Sequence, residues 1–569
     1  MEPRTPWLKN YGDVKFYLEY PKTAMGEQVL QIAKTYPDNI ALSFFGRNIK
    51  YYQLADMIHC VAKSFVSLGV KKGDKVTLCM PNVPQTVYSL YALNIIGAVV
   101  SVIHPLSSEE EIIYYLKETC SDVVVTLDLF YDKINNVKSR QKIKKLIVSS
   151  ISDEFSLLMA IGFKITKGRK ISKPTFSDDV ISWNDFVKSG KKYNGEYINN
   201  IDINDTAVIL FSGGTTGVSK GVELSNYNFN CLAYQTVEMS HENITGKSML
   251  AAMPMFHGFG LGVCVHTMLC FGGCSILVPR FTADEYVNLI IKNKPNFIAG
   301  VPTLFEAICS NNSFKGVDLS FLKGVFSGGD SLPVDLKTKF DEFLAQHGSS
   351  TKIREGYGAT ECVTASCLTP YNVEKEGSIG LPFPDTYYKI CELGTTIEVE
   401  YGQYGEICIA GPTVMKGYLN HPDETANSLE KHEDGYLWLR TGDLGYMDSD
   451  GFVFFKQRIK RMIITSGYNV YPSQIESILN NHESVFMSCV IGVPDKYKIQ
   501  KVKAYIVLND EYLPTDETKA NIIEYCKKHI AKYAMPYEME FRKSLPTTKV
   551  GKIAYGELEK EVLAAAKVE

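Results

Sequence analysis

The first half of the chain alternates between short β-branched hydrophobic runs and longer segments with helical spacing. The runs typical of buried strands lie at 75–80, 99–103, 122–127 and 145–149. Helical patterns lie between them, at 85–95 and 108–119. This alternation predicts a parallel, doubly wound sheet with helices on both faces.

A second series of strand-like runs follows at 248–253, 275–278, 297–301, 324–327 and 352–357. From 389 to 455 the pattern changes to short strands separated by Gly, Asn and Asp turns, which is typical of a small β unit. A basic, polar crossing and a compact α+β pattern then run to the end. We therefore predict an α/β fold with a large N-terminal domain, 1–458, and a smaller, mobile α+β C-terminal domain, 459–569. The large domain would contain two doubly wound α/β subdomains plus the small β unit.

The composition is that of an ordinary globular protein, with 45% hydrophobic and 22% charged residues among 569. The net charge is -4 and acids and bases are interspersed, so we expect small-molecule chemistry and no nucleic-acid partner. The fourteen cysteines form no Cys-x-x-Cys pair and the N-terminus has no signal pattern, which favours the cytoplasm. No apolar run reaches the ~18 to 20 residues of a transmembrane helix.

Three local patterns allow two interpretations each. Four residues resemble a zinc cluster but lie in an apolar, glycine-rich stretch, so we prefer buried thiols: Cys264, His266, Cys270 and Cys274. Asp448, Asp450 and Gly451 faintly resemble a calcium loop, although a hairpin turn is preferred. The segment 155–170 joins an apolar to a basic run, which allows peripheral membrane contact, but we prefer a surface excursion.

The run FSGGTTGVSKG, 211–221, directly follows an apolar run at 206–210. Its glycines let backbone N–H groups turn toward an anion, and its hydroxyls and lysine add donors and charge. It is not a Walker A loop, because Gly221 follows Lys220 where that motif needs Ser or Thr. The alternative, a flexible linker, rarely follows a buried strand so closely. The predicted phosphate-binding residues are Ser212, Gly213, Gly214, Thr215, Thr216 and Lys220.

Two shorter segments carry groups suited to a nucleotide. In GYGATE, Tyr357 offers a flat face for a base, Thr360 a hydroxyl for a phosphate and Glu361 a carboxylate for magnesium. In RTGD, the Asp443 carboxylate suits two adjacent ribose hydroxyls. Arg458 either pairs with the same nucleotide or is a solvated charge.

Near the C-terminus, PTTKVGK places Lys552 after a glycine in a short loop, where it either reaches into a site or is a surface lysine. In this order the segments resemble the acyl-adenylate-forming superfamily, which includes acyl-CoA synthetases, 4-coumarate ligases, luciferases and peptide-synthetase adenylation domains. The resemblance covers nearly the whole chain. The matching motifs are the glycine-rich loop at 211–221, aromatic-Gly-x-Thr-Glu at 357–361, Thr-Gly-Asp at 441–443 and Pro-x4-Gly-Lys at 546–552.

The resemblance implies a reaction in two steps. A carboxylate attacks the α-phosphate of ATP, giving an acyl-adenylate and pyrophosphate, and a thiol then displaces AMP. The implied catalytic residues are Lys552, Thr360, Glu361 and His257, with Glu361 as the Mg²⁺ ligand. ATP, Mg²⁺ and coenzyme A are the implied cofactors, because phosphoryl chemistry depends mainly on charge neutralisation.

By the same resemblance, adenine is bound by two segments: Ser327, Gly328, Gly329 and Asp330, and Gly356, Tyr357 and Gly358. Asp443 and Arg458 would hold the ribose, Lys460 is the hinge, and Ser466 and Gly467 lie along the CoA path. The implied acid pocket contains His257, Gly300, Val301, Pro302, Thr303 and Gly356. Three positions depart from the family pattern: Gly213 replaces a hydroxyl residue, Ser219 a proline and Asp330 a small residue.

The resemblance favours an acyl-CoA synthetase for a medium- to long-chain fatty acid, because 151–187 resembles the insertion of fatty-acid-activating members. The alternatives are an aryl or other bulky acid-CoA ligase, or an enzyme that loads a carrier-protein thiol. The motifs are equally compatible with an oxygenase of the luciferase kind, because the same acyl-adenylate precedes that reaction. A non-catalytic nucleotide-binding protein is a further alternative, against which the retention of Glu361 and Lys552 argues.

Overall fold

The computed structural model describes residues 2–155, 159, 162–163, 171, 173–212, 219–280, 282–465, 468–495, 497–548 and 552–565. These residues form two compact units. Unit 1 contains 2–212, 219–387 and 409–439, and unit 2 contains 388–408 and 440 onward. The predicted boundary after residue 458 stays a prediction.

The first sheet of unit 1 has nine strands, of which the central ones are parallel. Their spatial order is Leu381–Pro382, Cys367–Leu368, Ile353–Tyr357, Gly324–Ser327, Phe297–Gly300, Ser248–Ala251, Cys274–Leu277, Ile40–Phe44 and Arg47–Lys50. The edge strands at both ends pair antiparallel. This sheet carries four of the predicted site segments of unit 1.

The second sheet of unit 1 has eight strands and is parallel from its third strand onward. Their spatial order is Gly417–Tyr418, Gly221–Ser225, Thr206–Phe211, Val99–Ile103, Lys75–Cys79, Val123–Leu127, Lys145–Ser149 and Val180–Ser182. The first three strands pair antiparallel, and the predicted phosphate-binding loop joins two of them.

The helices of unit 1 begin where the sequence supplies caps or proline. The Ser108 side chain caps the helix Glu109–Thr119 by accepting a hydrogen bond from the Glu111 N–H. Pro84 lies in the first turn of the helix Pro84–Ile95, and every residue of that helix is buried. The α-helices are Met25–Thr35, Tyr51–Ser67, Pro84–Ile95, Glu109–Thr119, Tyr131–Arg140, Trp183–Lys192, Asn226–Ser240, Met268–Cys270, Ala283–Asn293, Pro302–Cys309, Val334–Gln346 and Pro422–Ser428. A π-helix spans Phe259–Thr267, short 3-10 turns span Pro6–Asn10, Asp128–Phe130, Ile151–Glu154, Asn312–Phe314 and Thr360–Cys362, and a short strand spans Leu429–Lys431.

Unit 2 contains two smaller sheets. Of the first sheet, unit 2 contains most of the strands Tyr387–Cys391, Gly405–Ala410 and Leu437–Met447 and all of Val453–Arg458. The second has the order Tyr468–Val470, Ile463–Thr465, Ile499–Leu508 and Val485–Asp495, with Glu538–Phe541 parallel to Ile499–Leu508. Its helices are Pro472–Asn480, Asp516–His529 and Tyr555–Ala565, and a 3-10 turn spans Ile459–Arg461. Ile475, Leu479, Ile506 and Ile522 are fully or almost fully buried in its core.

The predicted α/β fold class is confirmed by this architecture. Residues 448–451 form a turn in which the Gly451 N–H donates to the Asp448 carbonyl at 3.0 Å. This agrees with the hairpin turn that the sequence analysis preferred to a calcium loop. The four zinc-like residues are buried, and both ring nitrogens of His266 have partners, Tyr91 at 3.1 Å and Asn230 at 3.0 Å. Most of 155–170 lies outside the described residues. Within the part that the structure describes, no helix has the length and hydrophobicity of a membrane span.

Candidate functional site

Four predicted site segments of unit 1 follow four neighbouring parallel strands. The strands are Ser248–Ala251, Phe297–Gly300, Gly324–Ser327 and Ile353–Tyr357. The segments at or after the carboxyl ends of these strands contain, in the same order, His257, Gly300 to Pro302, Gly328 to Asp330 and Tyr357 to Glu361. Ligands of open α/β sheets bind at the carboxyl edge of the strands. The sheet topology therefore gathers these segments at one ligand-binding edge.

Close backbone contacts hold these segments against one another. The Gly328 N–H donates to the Gly300 carbonyl at 3.0 Å. A Cβ at Gly258 would lie 1.6 Å from the Val363 carbonyl oxygen, and one at Gly358 would lie 1.9 Å from the Thr364 carbonyl oxygen. Any side chain at either position would displace the backbone, so both positions need glycine. The His257 turn is thus packed directly against the segment that follows Glu361.

Val363, two residues after Glu361, adopts a strained backbone conformation. Its φ is 64° and ψ is -53°, and the Thr364 N–H donates to the Cys362 carbonyl at 2.8 Å. These values describe a γ-turn with positive φ, which is rare and especially unfavourable for a β-branched residue. The Val363 side chain is fully buried, so packing holds the turn in place. Sequence analysis missed this turn because no residue pattern marks it.

The Glu361 carboxylate has a partner that sequence analysis also missed. The Tyr418 hydroxyl donates to Glu361 Oε1 at 2.8 Å, and the Met415 N–H donates to the Glu361 carbonyl at 2.8 Å. Burial, followed by the nearby Glu361 carboxylate, raises the pKa of Tyr418 well above its usual value. The phenol therefore remains a hydrogen-bond donor at neutral pH.

The two ends of the predicted phosphate-binding loop form the base of a hairpin. The Ser212 N–H donates to the Lys220 carbonyl at 2.9 Å, next to the antiparallel pair Phe211 and Gly221. The Lys220 ammonium pairs with Glu424 and lies 4.9 Å from the centre of the Tyr418 ring. The remaining predicted loop residues lie outside the described part of the chain: Gly213, Gly214, Thr215 and Thr216.

The predicted adenine segment begins in a buried position and ends on the surface. Ser327 is 1% exposed, and its hydroxyl has no hydrogen-bond partner among the described residues. Gly329 has a φ of 85°, and Asp330 is exposed and accepts a 3.0 Å hydrogen bond from the Ser331 N–H. An unsatisfied buried hydroxyl is unfavourable, so this position is suited to a polar ligand such as a nucleotide.

A buried carboxyl group supports the same segment. Glu355 Oε1 accepts a 2.9 Å hydrogen bond from the Leu332 N–H, just beyond Asp330. Burial raises the pKa of Glu355 to about 8. No sequence pattern indicates this contact, because Glu355 is one residue of the strand Ile353–Tyr357 with no motif around its carboxylate.

The predicted acid-pocket residues occupy two turns. His257 is half-buried, and its Nδ1 accepts a 3.2 Å hydrogen bond from the Phe259 N–H. Val301 occupies the N-cap position of the helix that begins at Pro302, and its side chain makes no capping hydrogen bond. A Cβ at Gly300 would lie 2.8 Å from Leu304 Cδ2, so that glycine allows close packing of this helix. At Gly356 the corresponding distance to Leu368 Cδ1 is 3.5 Å, an ordinary contact.

Within unit 2, the predicted ribose pair forms an ion pair. Arg458 Nε lies 2.9 Å from Asp443 Oδ1, and Arg458 Nη1 donates to the Thr441 carbonyl at 2.9 Å. The two residues are register partners on adjacent antiparallel strands. Asp443 is 1% exposed, and Gly442 before it has a φ of 70° and donates to Glu406 at 2.9 Å. The TGD segment of the strand Leu437–Met447 thus holds a buried carboxylate in a fixed position.

The other predicted residues of unit 2 lie in or beside short turns. Lys460 is exposed on the 3-10 turn Ile459–Arg461. Ser466 and Gly467 lie outside the described residues, between strands whose register pairs Thr465 with Tyr468. The Lys552 N–H donates to Thr548 Oγ1 at 3.1 Å, and the Thr548 N–H donates to the Lys552 carbonyl at 2.6 Å. These bonds join Thr548 to Lys552, and residues 549–551 between them lie outside the described part of the chain.

The residues present fit a magnesium ion that is held mainly by its substrate. Among the residues that the structure describes, no group of three or more His, Cys, Asp or Glu side chains forms a metal cluster. Mg²⁺ in nucleotide sites is often held by one or two carboxylates together with substrate phosphates. Glu361 alone is consistent with this mode.

Both the large N-terminal part and the C-terminal part of the chain match known protein families. Residues 29–419 match the AMP-binding enzyme family, and 474–552 match the AMP-binding enzyme C-terminal domain. A long-chain-fatty-acid–CoA ligase of Bacillus subtilis strain 168 is 34% identical over 97% of both chains, and one of Yersinia pestis is 31% identical over 98% of both. The crystal structure of an anthranilate CoA ligase with anthranoyl-AMP, 23% identical, matches with a TM-score of 0.82 over 96% of this chain and 99% of that one. The predicted resemblance is confirmed, and the chain belongs to the family of AMP-binding enzymes.

Proposed function

We propose that this AMP-forming acyl-CoA synthetase activates a medium- to long-chain fatty acid with ATP and transfers it to coenzyme A. One observation carries the assignment of the site: four predicted segments lie together at the carboxyl edge of four adjacent parallel strands. Glu361 lies in one of these segments. Through Tyr418 it is linked to Lys220 at the base of the glycine-rich loop.

In the first step, the carboxylate of the acid attacks the α-phosphate of ATP and pyrophosphate leaves. Lys220 and the amides of the glycine-rich loop bind the β- and γ-phosphates, and Thr360 donates its hydroxyl to a phosphate. Glu361 holds Mg²⁺, which supplies neutralisation of phosphate charge when bound. The orphaned hydroxyl of Ser327 and the flat face of Tyr357 bind adenine, and Asp443 with Arg458 binds the ribose. Lys552 neutralises the charge that develops between the carboxylate and the α-phosphate.

In the second step, the thiol of coenzyme A attacks the acyl carbonyl and AMP leaves. The C-terminal domain turns about Lys460, which withdraws Lys552 and brings Ser466 and Gly467 to the thiol path. A 3-10 turn at 459–461 is suited to a hinge, because a few residues there absorb the change in backbone angles.

The fatty acid is supported by two relatives named long-chain-fatty-acid–CoA ligases, which match this chain over nearly its whole length. The segment 151–187 supports the same choice by its resemblance to the insertion of fatty-acid-activating members. An aryl acid is the second candidate, because the anthranilate enzyme shares the fold. The acid pocket would include His257 and Gly300 to Pro302.

A panel of acids tests the substrate class directly. Purified enzyme with ATP, Mg²⁺ and coenzyme A is offered saturated acids of increasing length, benzoate, cinnamate and anthranilate, and AMP release is measured. We expect the highest kcat/KM with a medium- or long-chain saturated acid, and AMP release that depends on free coenzyme A. Preference for an aromatic acid would overturn the fatty-acid assignment. Activity only with a carrier-protein thiol would overturn the role of coenzyme A.

A further inference from the structure

A cavity of unit 1 contains none of the residues predicted for ATP, acid or thiol. Its volume is about 320 Å³, and four tyrosines and one carboxylate line it: Tyr20, Tyr227, Tyr387, Tyr436 and Asp385. The other lining residues in the described part of the chain are Leu18, Gly411 and Pro412, so none of the described lining residues is a lysine or arginine. This volume is at the lower end of the range of small-molecule binding pockets, whose volumes are roughly 300 to 1,000 Å³.

The tyrosine rings form two steeply inclined pairs. The centres of Tyr20 and Tyr227 lie 5.9 Å apart with an interplanar angle of 83°, and those of Tyr387 and Tyr436 lie 5.2 Å apart at 64°. Within each pair the two ring planes face different directions. Aromatic faces carry a negative quadrupole and attract cations.

The carboxylate of Asp385 is fixed in position. Its Oδ2 accepts hydrogen bonds from the Tyr20 hydroxyl at 2.6 Å and from the Leu18 N–H at 3.0 Å. Its backbone has a φ of 51° and donates to the Phe16 carbonyl at 2.8 Å. Among the described residues, no hydrogen bond or ion pair involves Oδ1. One oxygen therefore anchors the carboxylate and the other remains available to a ligand.

The local charge is negative. Burial raises the pKa of Tyr227 to about 12, so its phenol is neutral at physiological pH. A second carboxylate, Glu2, accepts a 3.2 Å hydrogen bond from the hydroxyl of Tyr387. Among the described residues, the wall has one carboxylate, with Glu2 hydrogen-bonded to Tyr387, and no basic side chain, which disfavours anionic ligands such as phosphates and carboxylates.

We propose that this cavity is a binding site for a small quaternary ammonium compound of the choline type. Quaternary ammonium is weakly hydrated, its methyl groups match aromatic faces, and its charge is balanced by a carboxylate, so aromatic cages recognise it. A primary ammonium or a metal ion would lose more hydration on entering a wall of tyrosines. The site is independent of the proposed function, because none of its residues belongs to the adenylation machinery.

The test is titration calorimetry of the full-length protein with tetramethylammonium chloride and with choline chloride, at constant ionic strength. The neutral isostere 3,3-dimethylbutan-1-ol has the shape of choline without its charge. We expect saturable binding of both cations with a dissociation constant of about 1 mM or lower, and binding of the isostere at least about tenfold weaker.

Two variants test the site itself. Asp385→Asn keeps an oxygen acceptor and tolerates positive φ, and it should weaken tetramethylammonium binding about tenfold by removing the charge. Tyr436→Leu should weaken it about fivefold by removing one aromatic face. Tyr404→Leu is the matched control, because Tyr404 is an exposed tyrosine in a similar pair, 5.2 Å from Tyr446. Thermal melting checks that each variant folds.

Several results would overturn the proposal. They are absence of saturable heat with tetramethylammonium, equal affinity for the neutral isostere, or full affinity in folded Asp385→Asn protein. Binding to phosphatidylcholine vesicles without binding of soluble choline would also overturn it, because the proposed ligand is the small molecule and not a lipid headgroup.

Discussion

The hydroxyl of Tyr418 donates a 2.8 Å hydrogen bond to Oε1 of Glu361. The ring of the same tyrosine lies 4.9 Å from the Lys220 ammonium. One side chain therefore contacts both the proposed magnesium ligand and the lysine beside the glycine-rich loop. We infer that Tyr418 positions the Glu361 carboxylate while it limits the movement of Lys220.

Tyr418→Phe should lower the apparent affinity for Mg²⁺ while the contact between the ring and Lys220 is retained. A hydrogen bond to a charged group contributes about 1.5 to 3 kcal/mol, so we expect a loss of about tenfold or more in pyrophosphate exchange. The Mg²⁺ concentration for half-maximal exchange should rise. The measurement is exchange of labelled pyrophosphate into ATP over a Mg²⁺ series.

Tyr36→Phe is the control for that substitution, because Tyr36 is a partly exposed tyrosine that packs against Gly272. An unchanged Mg²⁺ dependence in folded Tyr418→Phe protein would show that the hydroxyl does not position Glu361.

Glu424→Gln should increase the affinity for ATP. The Glu424 carboxylate pairs with Lys220, and the two side chains are 49% and 30% exposed. The pair competes with phosphate for the ammonium, but exposed pairs contribute at most ~1 kcal/mol, so we expect a gain of about two- to fivefold. The measurement is equilibrium ATP binding at low ionic strength.

Glu306→Gln serves as the matched control for Glu424→Gln. Glu306 forms a comparable exposed pair with Lys339, at 2.5 Å, and belongs to no predicted site. Weaker ATP binding in Glu424→Gln would contradict competition for Lys220 and indicate that Glu424 orients the lysine.

Lys552→Ala should lower the rate of adenylation about 10² to 10³-fold while ATP binding is largely retained. Removing one stabilising donor of a transition state typically lowers the rate ~10² to 10³-fold. Lys552→Arg tests whether the charge alone suffices, and Lys560→Ala is a nearby control on an exposed helix position. Pyrophosphate exchange and ATP binding are measured on the same samples. Normal exchange in Lys552→Ala protein would refute the proposed catalytic lysine.

Glu355→Gln should alter how stability depends on pH. Burial raises the pKa of Glu355 from 4.5 to about 8 in the folded protein. Between pH 4.5 and about pH 8, the folded protein therefore binds one proton more than the unfolded chain. The stability that this proton contributes is present at lower pH and is lost as pH rises through about 8. Glutamine keeps an acceptor for the Leu332 N–H without a charge.

We therefore expect the unfolding free energy of Glu355→Gln relative to the natural protein to increase between about pH 5 and pH 8 and to level off above about pH 8. Chemical denaturation at several pH values measures it, with the exposed Glu342→Gln as control. A constant difference across this range would show that Glu355 does not titrate there.

The hydrophobic pattern determined where most elements lie. The strands Val99–Ile103 and Lys145–Ser149 occupy the predicted residues, because a strand buried on both faces is a short apolar run bounded by polar turns. The predicted strand 248–253 ends earlier, at Ala251, because its apolar run continues into the turn that leads to His257. Motifs identified the family, since glycines, hydroxyls and charges in a fixed order reflect one shared chemistry.

Tertiary structure alone decided which residues meet. Tyr418 reaches Glu361 from an edge strand of the other sheet, and Gly258 meets Val363 although neither position shows a pattern that indicates the contact. The tyrosine cavity likewise joins Tyr20 to Asp385 and Tyr436. Local spacing reports backbone conformation, whereas contacts between distant residues depend on strand order and packing, which no short segment of sequence contains.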